Sequence, residues 1–302
     1  MNPTLRRAFL FACALDVAVA KPGNVSIGSP GHDMDARMFI DSARAALPGL
    51  LKPGAPVGER IEAAVRATRA AVGCNTNLGI LLLCAPIALA VERWQPPAGP
   101  EPDDGLIPDS LANELDAVLA GLTVADASAA YRAIAHANPG GLGDAPEQSV
   151  HAEPSVTLLA AMRLAADRDL IAAQYANGYT QVRGSANRFA DGRPEDAMLA
   201  VFMGLLARFP DSHIARKRGT VAAQIVTDAA AGLWLPESRL PSSRPASALA
   251  EWDAKLKRIG INPGTTADLS VASAFMAACV DAALPTRVGS DVTALIGMES
   301  DS

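Results

Sequence analysis

The segment from Lys21 to Asp35 reads KPGNVSIGSPGHDMD, with Lys21, Asn24, Ser26, His32, Asp33 and Asp35 set among three Gly and two Pro. His32 is a candidate general acid or base. Asp33 and Asp35 are candidate catalytic carboxylates, and Asp35 a candidate Mg2+ ligand, since Mg2+ takes one or two carboxylates with phosphates and waters. The glycines free backbone N–H groups to meet a ligand. Lys21, Asn24 and Ser26 are read as ligand-binding. The competing reading is an ordinary inter-helix loop in which Asp35 only caps the next helix.

Four further polar islands interrupt an otherwise Ala- and Leu-rich chain: CNTNLG (74–79), NPGGLGD (138–144), DSHIARKRG (211–219) and NPGTTAD (262–268). Asn75, Thr76 and Asn77, between Gly73 and Gly79, either cap a helix or hold a base or ribose edge. Gly140 and Gly141 resemble a phosphate cradle by composition. No strand precedes them and no Gly-Lys-Ser/Thr follows, so neither a P-loop nor a dinucleotide fingerprint is present; a glycine helix stop is the alternative. Arg216 and Lys217 suit phosphate oxygens, or form a solvated helix end. Asp211 is read as a metal or ribose contact. Gly264 and Thr265 precede the last long apolar stretch, where orphan N–H groups bind anions. Asp268 joins this island as a binding residue, or complements the helix dipole while Thr265 or Thr266 caps.

Five of these features, in order, resemble the triphosphoribosyl-dephospho-CoA synthases. They are Lys21-Pro22-Gly23, His32-Asp33-Met34-Asp35, Asn75-Thr76-Asn77, Asp211-Ser212 and Pro263-Gly264-Thr265-Thr266-Ala267-Asp268-Leu269. The resemblance spans nearly the whole chain. It implies a transferase using ATP as glycosyl donor, with Mg2+. An acceptor ribose hydroxyl attacks C1 of the ATP ribose and adenine leaves, so the triphosphate travels with the sugar. Lys21, Arg216 and Lys217 would hold phosphates, Asn75 to Asn77 the nucleoside, and Gly264 with Thr265 a further phosphate.

One departure bears on the acceptor. The citrate-lyase branch has Asn-Thr-His-Lys-Gly where this chain has Asn75-Thr76-Asn77-Leu78-Gly79. A cation and an imidazole are missing, which implies a weaker preference for dephospho-CoA. Two rivals stand beside the family reaction. One is the same transfer to another acceptor, such as a pterin-type cofactor intermediate; the other is a helical nucleotide-binding or scaffold protein without turnover.

The elements that must position these islands read as helices throughout. Asp35 to Leu47, Glu59 to Val72, Leu78 to Trp94, Ser110 to Ala120, Val124 to Ala137, Ser155 to Asp167 and Asp169 to about Arg188 show helical patterning. So do Pro194 to Arg208, Val221 to Leu233, Ala246 to Arg258 and Ala267 to Ala283. Pro48 to Gly58 reads as a turn. No β alternation and no repeat of fixed period is present. The expectation is an all-α, compact multi-helix bundle in one domain over 1–302, with a Pro-rich loop at 95–109.

Composition narrows the class. A net charge of −6 argues against a nucleic-acid partner. Arg6-Arg7 with the following apolar run imitates a signal peptide, but Asp16 interrupts it. The charge-free stretch 70–91 is cut by Asn75 to Asn77, so no membrane partner is expected. Cys13, Cys74, Cys84 and Cys279 lack metal or redox spacing, which suits free thiols in the cytoplasm. The oligomeric state is open at this point.

Overall fold

A computed structural model describes residues 2–96, 105–139, 149–150, 152–234 and 246–297. Among these it holds fifteen α-helices and no strand, with two isolated bridges in the loop at 26–34. The first four helices are α1 (Pro3–Ala18), α2 (Ala36–Leu50), α3 (Val57–Val72) and α4 (Leu78–Arg93). Next come α5 (Asp109–Ala120), α6 (Val124–Ala137), α7 (Leu158–Ala165), α8 (Leu170–Ala176) and α9 (Thr180–Ala186). Then follow α10 (Pro194–Leu206), α11 (Ser212–Arg218), α12 (Thr220–Leu233), α13 (Ala246–Arg258), α14 (Gly264–Val280) and α15 (Ser290–Ile296).

Helices α1, α4 and α14 form the centre because they are apolar on nearly every face, and such a helix is stable only when surrounded. Phe9 of α1 meets Phe275 of α14 edge-on, with ring centroids 5.8 Å apart. The amphipathic helices α2, α3 and α6 pack beside them. Gly58 lets α3 touch α6, since a Cβ there would come 2.5 Å from the Cα of Asp126. The Gly58 N–H donates to Asp126 Oδ1 at 2.8 Å, while Asp126 also closes a capping box with Thr123. A smaller apolar cluster joins Phe202 and Leu206 of α10 to Ile214, Val226 and Leu256.

Pro86 stands inside α4 and has no N–H for the carbonyl of Leu82. Tyr175 supplies the missing donor: its hydroxyl donates to Leu82 O at 2.6 Å. Tyr179 donates to the next carbonyl, Leu83 O, at 3.2 Å. Both tyrosines are buried, and burial pushes both phenol pKa values up, so they remain donors. The helix expected from Asp169 to Arg188 is broken to place them. Gly178 and Tyr179 take left-handed backbone angles, φ 67° and 61°, and separate α8 from α9.

Other boundaries shift as well. Helix α2 continues through Pro48 to Leu50, because a proline in the last turns costs only one backbone bond. Helix α14 begins at Gly264 with no side-chain cap, so neither Thr265 nor Thr266 caps it. Helix α15 lies where the sequence pattern indicated none, and α11 carries Arg216 and Lys217 in its last turn, the helix-end alternative for that island. No single described helix is long and apolar enough to cross a membrane; α5 and α6 reach that length only jointly and meet at 88°.

Candidate active site

A cavity of about 1240 Å³ opens between the C-terminal end of α1, the loop after it, the α3–α4 junction, α6 to α8, α11 and the start of α14. Four of the five islands send residues into it: Asn24 and His32; Asn75 and Thr76; Arg216 and Lys217; Gly264 and Asp268. The fifth reaches it through Asn138, which ends α6 in a left-handed conformation. Gly140 and Gly141 lie outside the described residues.

The loop after α1 is strained where it carries chemistry. His32 and Asp33 have φ of 57° and 61°, a region that side chains other than Gly rarely occupy. The pairing of Gly31 with Met34 holds this bend. His32 Nε2 lies 2.9 Å from Gly23 O, so Nε2 must carry the hydrogen, since a carbonyl only accepts. That leaves Nδ1 as the basic nitrogen of the neutral ring. Helix α13 clamps the same loop: Asp253 accepts from Gly23 N at 2.8 Å and from Ser29 Oγ at 2.6 Å.

The cationic wall is α11. Arg216 Nη1 donates to Asp169 Oδ2 at 2.7 Å, while its Nε has no protein partner. Asp169 is fixed from behind because its Oδ1 caps α8 through Ile171 N and Ala172 N. Lys217 is exposed at the rim. His213 lines the cavity too, and burial, followed by Lys217, Arg216 and His32, pulls its pKa down to about 3. Its imidazole is therefore neutral near pH 7.

The cavity lining also carries buried carboxylates. Asp268 projects from α14 against Gly79, where any Cβ would collide with its carboxylate. Burial pushes the Asp268 carboxyl pKa well above the usual range, with Asp16 and Asp211 adding to the effect and Arg216 opposing it. Asp16, from the last turn of α1, also lines the cavity and is nearly inaccessible.

Several residues singled out from the sequence do not reach the cavity. Lys21 is 1 % exposed, with its ammonium 3.1 Å from Asp16 Oδ1 and donating to Asp16 O and Val19 O. Burial lowers the Lys21 pKa and raises that of Asp16, and each charge holds the other back. Lys21 thus orients a carboxylate rather than a phosphate. Asp211 is sealed: Oδ1 caps α11 through Ile214 N at 3.0 Å, and Oδ2 accepts from Thr266 N and Oγ1 at 2.7 and 2.8 Å. It ties α11 to α14 and has no oxygen left for a metal.

Thr265 Oγ1 accepts from His213 N at 3.1 Å in the same joint, buried from any phosphate. Ser26 is buried in its loop, and Asn77 is buried beside the cavity with an unpartnered Nδ2. Asp35 caps α2 through Met38 N at 3.0 Å, and both it and Asp33 are exposed away from the cavity lining. Asp35 and Asp211 therefore do not form a metal pair. Among the described residues no group of three or more His, Cys, Asp or Glu is placed to hold a metal. Asp16 and Asp169 were missed in the sequence; the one available signal was that Asp16 is the lone charge in an apolar stretch.

An all-α shell surrounds one large cavity whose lining carries both cationic and acidic side chains, a site suited to an anionic substrate. The sequence profile of the ATP:dephospho-CoA triphosphoribosyl transferases matches residues 2–285, and the chain belongs to that family. A crystal structure from Archaeoglobus fulgidus, provisionally assigned as a triphosphoribosyl-dephospho-CoA synthase, is similar with a TM-score of 0.61 and 25% identity. The match covers 78% of this chain and 96% of the archaeal one. No curated protein matches the chain significantly.

Proposed function

We propose that the cavity binds ATP and an acceptor together and transfers the 5-triphosphoribosyl group to an acceptor hydroxyl with release of adenine. The observation that carries this is Arg216: its guanidinium is anchored by Asp169 through Nη1 and stays partly exposed at the cavity wall. A guanidinium held in place with a free donor suits a phosphate oxygen. Lys217 adds a point charge beside it. The N–H of Gly264 is committed to Asn262 O at 2.8 Å, so Gly264 serves as a close-approach surface rather than as a donor.

Asn75 and Thr76 line the cavity and are assigned to the nucleoside. Asn75 Oδ1 is used by Leu78 N at 3.1 Å, which leaves its amide Nδ2 to donate. Thr76 donates to Ser42 Oγ at 2.6 Å, so its hydroxyl oxygen keeps its acceptor capacity.

In the transfer, a bond forms between the acceptor oxygen and C1 of the ribose while the bond from C1 to adenine breaks. His32 Nδ1 takes the hydroxyl proton, and the departing adenine takes up one proton, so charge balances. Asp16, held beside the Lys21 ammonium, lowers the energy of positive charge at C1 through the low dielectric of the cavity. Dephospho-CoA is the acceptor assigned first, in line with the family. The four free cysteines fit a cytoplasmic setting.

The test is ATP and AMP binding with adenine release, for the wild type and Arg216→Ala. We expect ATP binding to weaken by one to two decades, as for loss of a charged hydrogen bond of about 1.5–3 kcal/mol. AMP binding should change little. Equal weakening of both nucleotides, or unaltered adenine release, would remove Arg216 from the triphosphate.

A further inference from the structure

His32 reaches the cavity on a backbone that its residue type disfavours, with φ of 57° there and 61° at Asp33. Such a conformation persists only where the surroundings hold it. Here the hold comes from α13, a helix outside the five polar islands and outside the cavity lining. Asp253 of α13 reaches both ends of the loop segment that precedes His32. Its Oδ1 accepts from Gly23 N at 2.8 Å and its Oδ2 from Ser29 Oγ at 2.6 Å. Lys257, one turn on, donates to Asp253 Oδ2 at 3.0 Å and to Ser29 O at 2.7 Å, which fixes the carboxylate from the side.

Gly23 links that carboxylate to the imidazole. Its N–H goes to Asp253, and its carbonyl takes the hydrogen bond from His32 Nε2 at 2.9 Å. The residue has little room to turn its carbonyl elsewhere. Its φ is 79°, and a Cβ there would lie 2.8 Å from Pro263 Cδ and 3.0 Å from Ile261 O. Beside it, Asn24 Nδ2 donates to Asn262 Oδ1 at 3.1 Å. In a neutral imidazole the partner of one nitrogen decides which nitrogen carries the hydrogen. A carbonyl oriented from α13 thereby leaves the free lone pair of His32 on Nδ1.

We propose that Asp253 is a positioning residue for His32: by pinning Gly23 and Ser29 it holds the ring in the orientation and tautomer that keep Nδ1 basic. Asp253 touches no reacting atom, and its effect passes through the loop. The positioning of the ring stands on this geometry alone; its consequence for turnover rests on the transfer reading above.

The experiment is a double-mutant cycle on kcat for adenine release, with ring nitrogen-15 NMR of His32 beside it. Asp253→Ala should lower kcat about ten- to a hundredfold with KM for ATP little changed, as for a misplaced reacting group. In a His32→Gln background, itself slower by about a hundredfold or more, Asp253→Ala should cost almost nothing further, because the group it positions is gone. Above the pH range in which imidazoles titrate, wild type should show the Nε2–H tautomer alone and Asp253→Ala a mixture of both; His32→Gln assigns the signal. Asp253→Asn keeps the volume and one acceptor, should lie between the two, and replaces Asp253→Ala in the cycle if the alanine variant melts early. An equal fall of kcat in both backgrounds, no fall in either, or an unaltered tautomer in the folded variant overturns the positioning role. A wild type that releases no adenine refutes the transfer reading instead, and the tautomer comparison then decides the positioning by itself.

Discussion

At the scale of single residues, the cavity works by fixing which groups are charged. His213 is held neutral by burial and by its cationic neighbours, with a pKa pulled down to about 3. The unfolded imidazole titrates near 6.5. Between those values the unfolded chain binds the proton and the folded one does not, so stability rises with pH across that window and is lost as pH falls through it. Proton NMR of the His213 ring should show no titration from pH 5 to 8, whereas an ordinary midpoint near 6.5 would place the ring in water. Asn77 and Leu78 divide differently from their paired appearance in the sequence. Leu78 lines the cavity, while Asn77 does not. The expected consequence is that Leu78→Lys raises kcat/KM for dephospho-CoA by about one decade, as a charged hydrogen bond would, while Asn77→His leaves it unchanged. Steady-state kinetics of both variants check this, and the reverse ranking would disprove it.

At the scale of elements, positions are held by polar joints between apolar helices. Tyr175 of α8 gives Leu82 O the donor that Pro86 denies it in α4, and Tyr179, between α8 and α9, donates to Leu83 O. Tyr175→Phe should lower stability by about 1–3 kcal/mol, because Leu82 O is then buried without a donor. Urea unfolding measures it, and in Tyr175→Phe combined with Pro86→Ala the loss should largely disappear as the helix regains its N–H. Arg60 makes a second joint. It is fully buried, donates to Ala55 O and Leu50 O, and pairs with Glu92 at 2.5 Å, tying the α2–α3 turn to α4. Arg60→Met should cost about 3–5 kcal/mol, since Glu92 loses its counter-charge in a partly buried position. A shift in the urea midpoint below that of any exposed-arginine control would confirm the joint; no shift would contradict it.

At the scale of the whole molecule, most of the architecture was legible in the sequence because apolar periodicity and Gly/Pro punctuation mark helices locally. The islands were legible for the same reason, since polar residues in Gly-rich breaks stand out between apolar helices. Side-chain direction was not legible. Lys21 and Asp211 read as ligand contacts by type, but each is consumed by a partner that folding brings from another turn or another helix. Asp169 was hidden because a helix cap and an arginine anchor look alike in one dimension. Gly140, Gly141 and most of the Pro-rich loop lie outside the described residues.

The central claim is that one cavity joins ATP and an acceptor by triphosphoribosyl transfer. Its most direct test is the mass of the products after incubation with ATP, Mg2+ and dephospho-CoA. The account requires a product heavier than dephospho-CoA by one triphosphoribosyl unit, with adenine released in equal amount. A product carrying phosphate or adenylate instead, with ADP or pyrophosphate in place of adenine, would contradict it.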